Sequence, residues 1–286
     1  MYELSFISLL ALCMVSFIGV PHGSFDGAVA ALLGYKTRKD FFIFVILYLI
    51  ISASVIVFWI YFPVVALFIF IFMSVIHFGL CDWSYFELGK YKWSISITHG
   101  LNIVFGIIFF HTSETFEIFA FLSNSSFIHL QNYLFIAYIF YFILLLRYSY
   151  LALIVPRLRW GLLEMIIVLL IVFLTEPLVA FSIYFCFIHT INHFMRIIPS
   201  LKKRISRSKI IKLFSLFTFT SWTIGIIIFD LFRDTYGDLE LIYRIIFIGL
   251  AALTVPHMIL IDFYFRPREK ISVSYTHLTL PTKRIV

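Results

Sequence analysis

The chain has 286 residues, of which 62% are hydrophobic, 20% aromatic and only 13% charged, with a mean hydropathy of +1.04. These values exclude a water-soluble globule of this size and define an integral membrane protein. The formal charge of +7 calls for no nucleic acid once the basic residues are placed on the topology below. Cys13, Cys81 and Cys186 are odd in number and sit in or beside apolar runs, so they imply packing and not a disulfide framework.

Taken in chain order, nine apolar spans are expected at about 4–20, 41–61, 64–81, 94–111, 130–147, 161–175, 178–195, 210–229 and 241–263. The first has no basic region before it and no small-residue cleavage site after it, and reads as a retained helix. The second and third form one apolar run too long for a single crossing, and Pro63 supplies the turn. Every Lys and Arg except Arg233 and Arg244 falls in alternate connections or at the C-terminal end. That alternation gives an all-α, polytopic membrane bundle of about nine helices, with the N-terminus outside and the C-terminus cytoplasmic. The protein is then a multi-pass component of the cell's inner (plasma) membrane, with lipid as its surroundings. Residues 1–270 read as one membrane domain. Residues 271–286 have no helical period, resemble translated adapter read-through, and read as a disordered tail or gene-model artefact, so His277 is set aside. No oligomeric state is defined.

Within this frame the histidines are informative. His189 and His193 are four apart in the seventh span, so their imidazoles project from one helical face. Two imidazoles at membrane depth are costly unless something binds them. His22 lies in Gly19-Val20-Pro21-His22-Gly23, where Pro and Gly interrupt the helix, and His77 precedes Phe78-Gly79. All four fall on the cytoplasmic side of the midplane, as do His99 and His257, whereas His111 and His129 fall at the outer boundary. Imidazoles without carboxylates at ligand spacing suit Zn, Cu, Ni or Fe, and a four-histidine site is the simplest constellation. Asp26, Asp82 and Asn192 are polar neighbours that can orient the rings, and a solvated or helix-capping role is the equal alternative for the two aspartates. His99 and His257 are reserve candidates, behind the ligands or beside a substrate. Glu164 and Asp262 read as interfacial polarity.

The same stretches carry a family resemblance. Gly19-Val20-Pro21-His22-Gly23, His77-Phe78-Gly79, Tyr184 to His189 with His193-Phe194, and Gly249 to Asp262 with its Val255-Pro256-His257 core resemble the Brp/Blh (bacteriorhodopsin-related protein-like) family of membrane β-carotene 15,15′-dioxygenases. The resemblance implies cleavage of the central double bond of β-carotene with O2 to two molecules of retinal. It also implies iron, Fe(2+), held by His22, His77, His189 and His193, and a link through the product to a retinal-binding rhodopsin. The chain departs from the family between the paired histidines, where Thr190-Ile191-Asn192 replaces a Ser and a basic residue. The competing readings are a di-iron desaturase or hydroxylase, which needs more histidine boxes than this chain has, and a haem-anchoring or transport protein.

Depth sets an expectation for substrate. Counting from Leu178 at about 1.5 Å per residue, His189 lies roughly 17 Å into a hydrocarbon core about 30 Å thick. The polyene is therefore expected to lie tilted or nearly in the membrane plane, in an apolar, aromatic-lined tunnel open to lipid.

Overall fold

The structure is a computed structural model and describes residues 6–82, 89–127 and 131–265. His129 and the tail 271–286 lie outside the described residues. All regular structure among the described residues is helical.

The first run is longer than expected. α1 (Phe6–Met14) passes through a π-helical segment, Val15–Gly19, and a 3-10 segment, Val20–Phe25, into α2 (Asp26–Leu33), where Gly34 at φ 123° ends it. The pair Pro21 and Gly23 therefore tightens the helix without breaking it, and His22 stands inside the crossing instead of after it. Thr37 caps α3 (Arg38–Tyr61) by accepting from the Asp40 amide. Pro63 opens α4 (Pro63–Asp82) as a first-turn proline, which makes the expected turn a sharp helix-to-helix junction.

α5 (Lys92–Phe110) returns beside α4 and is followed by α6 (Thr112–Ser123), a short helix absent from the sequence-based expectation. Asn124, left-handed at φ 52°, stops it. α7 (Gln131–Ile154), α8 (Leu158–Leu174) and α9 (Pro177–Ile183) follow. α9 runs through a second π segment, Tyr184–His189, into α10 (Thr190–Lys202). α11 (Arg207–Phe232) and α12 (Asp238–Met258) complete the bundle, and α12 continues into a third π segment, Ile259–Phe265.

Eight of these helical runs are long and apolar enough to cross a membrane. α8, at 17 residues, corresponds to the sixth expected span, 161–175, and sits at the lower limit of spanning length. Burial separates centre from rim: α4 and α5 bury 50% and 56% of their apolar stretches, against 17% for α3 and 11% for α11. The rim helices turn Phe42, Ile50, Phe219 and Ile226 outward, the surface that lipid requires. α4 and α5 meet at backbone distance. A Cβ on Gly79 would collide with the Ser96 carbonyl and one on Gly100 with that of Val75, the close approach that small residues permit between membrane helices.

Candidate metal centre

Five histidines from four helical runs converge on one buried point. His22 comes from the 3-10 turn, His77 from α4, His189 from the end of the second π segment, His193 from α10 and His257 from the end of α12. All are at most 8% exposed. Ring centroids of His22 lie 5.3 Å from His189, 5.4 Å from His193 and 5.2 Å from His257. His77 lies 5.1 Å from His189 and 5.2 Å from His257, and His193 is 5.0 Å from His257. The tightest subset by ring nitrogens is His22, His77 and His189, all within 4.8 Å of one another. His193 and His257 close the ring by centroid distance.

Each π segment adjoins a residue of this centre: the first precedes His22, the second ends at His189, and the third carries Asp262. A π turn inserts one extra residue and rotates everything after it, a device that recurs at functional sites.

Carboxylates fix the imidazoles from behind. His257 Nδ1 lies 2.8 and 3.0 Å from the two oxygens of Asp26, which also accepts a 3.0 Å hydrogen bond from the Tyr48 hydroxyl. His189 Nδ1 lies 3.2 Å from Asp82, and Asp82 accepts from the Tyr184 hydroxyl. His77 Nδ1 lies 3.0 Å from Asp262. His22 Nδ1 donates to the Gly19 carbonyl, and His193 Nδ1 is 3.7 Å from Cys81 Sγ.

A carboxylate or carbonyl accepts, so in His22, His77, His189 and His257 Nδ1 carries the hydrogen and Nε2 keeps its lone pair. The Nε2 atoms of His77, His189 and His193 are buried and make no hydrogen bond among the described residues. Buried polar atoms left this way are costly. Lone pairs converging from neutral imidazoles, backed by three buried carboxylates, are the arrangement a divalent transition metal satisfies.

The four histidines singled out from sequence are thus brought together, and Asp26 and Asp82 stand behind the imidazoles of His257 and His189. Three assignments change. His257 is in the ring itself. Asp262, read as interfacial, is the partner of His77. Asn192 is half-exposed and makes no hydrogen bond to the five histidines. His99 is buried but outside the ring, with Nε2 3.6 Å from Glu164. Tyr48 and Tyr184 were missed, since nothing distinguishes them from the other tyrosines until the helices pack.

An apolar cavity opens from His22 and His77. It follows α4 from Phe78 to Leu67, passes Phe181 and Phe185, and ends against Phe119 and Leu122 of α6. The lining is aromatic and apolar as expected, but the cavity runs along the helix axes rather than in the membrane plane.

Fold and site together define a polytopic helical membrane protein with a buried, carboxylate-backed histidine centre at the end of an apolar cavity. The family model of beta-carotene 15,15′-dioxygenase matches residues 13–265, and the chain belongs to that family. A curated relative, the beta-carotene 15,15′-dioxygenase of uncultured marine bacterium 66A03, is 32% identical over 268 residues, covering 93% of this chain and 97% of the relative. No solved structure matches.

Proposed function

We propose that this protein cleaves the 15,15′ double bond of β-carotene with O2, in the cell's inner membrane, to give two molecules of all-trans-retinal. The observation that carries the reading is the histidine centre lying at the inner end of a cavity with almost no polar lining, because a substrate without polar groups can be placed only by shape and apolar contact. His22, His77, His189 and His193 would hold iron, and His257 completes the ring of imidazoles. Iron, when bound, supplies the activation of O2 that no side chain here can supply.

The residues of the chain do the rest. Asp82 and Asp262 hold the imidazoles of His189 and His77 in the tautomer that presents Nε2. Phe78, Phe181 and Phe185 exclude water and give the polyene faces to stack on. The overall step balances without protons or outside electrons. The C15–C15′ double bond breaks, each carbon gains one oxygen from O2, and two aldehydes leave. The basic ends of α3, α5, α8 and α11 lie at the end of the bundle that holds the histidines, which supports a cytoplasmic position for the centre.

The test is expression in cells that accumulate β-carotene. Loss of orange colour with appearance of retinal is expected. Unchanged colour with well-expressed protein in the membrane would overturn the reading.

A further inference from the structure

The length of the cavity has a use. From His77 to Leu67 is ten residues of α4, about 15 Å at 1.5 Å per residue. An extended chain advances about 1.2 Å per bond, so the nine bonds from the central carbon of β-carotene to its terminal ring span about 11 Å, and the ring adds roughly 3 Å. One half of the substrate therefore fills the distance between the histidines and the far wall, standing along the helix axes.

The far wall is α6. Thr115 and Leu122 are 4% and 2% exposed and, with Phe119, line the cavity at the end away from the histidines. The helix is pinned on two sides. Trp59 Nε1 donates to the Leu122 carbonyl at 3.1 Å, and Arg244 Nη2 donates to the side chain of Asn124, its C-terminal stop, at 2.7 Å. A wall held this way does not retreat when a ring presses on it.

We propose that α6 is the stop that makes cleavage central: it seats the terminal ring of one substrate half, so the bond half a molecule away, and no other, lies beside the histidines. The proposal rests on the function given above and assigns Thr115, Phe119 and Leu122 to positioning. Seating one end is enough, because the position of the other half then follows from the covalent length of the polyene.

The experiment compares the products of purified full-length protein with β-carotene by chromatography and mass spectrometry. The T115F variant shortens the cavity, and the F119A/L122A double variant deepens it. Wild type gives retinal alone. A shifted stop gives pairs of unequal aldehydes, one shorter and one longer than retinal, amounting to at least a tenth of the product in either variant. Retinal as the sole product of both variants overturns the proposal. If neither variant turns over, binding of β-carotene to the iron-free proteins decides. At least tenfold weaker binding in T115F supports the stop, and unchanged binding overturns it. A wild type that forms no retinal refutes the function and is distinguishable from either outcome.

Discussion

Asp26 and His257 lie 231 positions apart in the chain, yet both carboxylate oxygens of Asp26 are within 3.0 Å of His257 Nδ1. The Tyr48 hydroxyl donates to the same carboxylate, so the first, second and last spans are tied together behind one imidazole. Replacing Asp26 by Ala frees the ring of His257 and leaves the buried Tyr48 hydroxyl without its carboxylate. Carboxylate partners of metal-bound histidines are commonly worth about 10–100-fold in metal affinity or activity. D26A is expected to lose iron affinity in that range and to keep its place in the membrane, as metal titration of the purified protein will show. Affinity within twofold of wild type would place His257 outside the metal centre.

Single changes of His22, His77, His189 and His193 to Ala are expected to abolish iron binding and retinal formation while the protein still inserts. Iron content per chain and retinal yield, measured together, check this. A variant that keeps full iron and full turnover removes that residue from the ligand set.

Asp82 serves two partners, accepting from Tyr184 and orienting His189. D82A is expected to cost about 10–100-fold in iron affinity. Y184F removes one hydrogen bond to the carboxylate and leaves the carboxylate on His189, so it is expected to cost about tenfold or less. Equal losses in the two variants would mean that Tyr184, not the carboxylate, sets the ring.

Chelation followed by refilling separates iron from other ions. Fe(2+) is expected to restore retinal formation, whereas Zn(2+) occupies the same imidazoles without redox chemistry and restores only thermal stability. Restoration of cleavage by zinc would exclude the proposed role of iron.

Gly79 bears on stability rather than chemistry. A methyl group there meets the backbone carbonyl of Ser96, which cannot rotate away as a side chain could. G79A is expected to push α4 from α5 at a cost of about 1–3 kcal/mol, read as a lower unfolding temperature in detergent. Because His77 is two residues earlier, iron affinity should fall with it. An unchanged melting temperature would show that the two helices can separate without cost.

Much was legible in the chain itself. Hydropathy and the alternation of basic residues define the spans because the bilayer imposes length and apolarity on each one separately. The pair His189 and His193 was readable as one helical face because that relation is local, within a single turn. His22 and His77 were readable because a buried imidazole beside Pro or Gly is unusual in any single span.

The relations between spans were decided only by packing. Asp262 pairs with His77 across 185 positions, and Tyr184 with Asp82 across 102. No periodicity within one helix encodes a partner on another. The three π segments set the rotation of the helices that carry His22, His189 and Asp262, and an extra residue per turn leaves no composition signal. α6 escaped because it lies between two expected spans and its 12 residues, with Thr112, Ser113, Glu114 and Glu117 among them, are too short and too polar to register as a crossing. The tertiary structure turns its apolar face onto the cavity. The sequence alone thus determined which residues sit at the depth of the centre, and the fold decided which of them face one another, because membrane depth is a property of each helix and rotation and contact belong to the bundle.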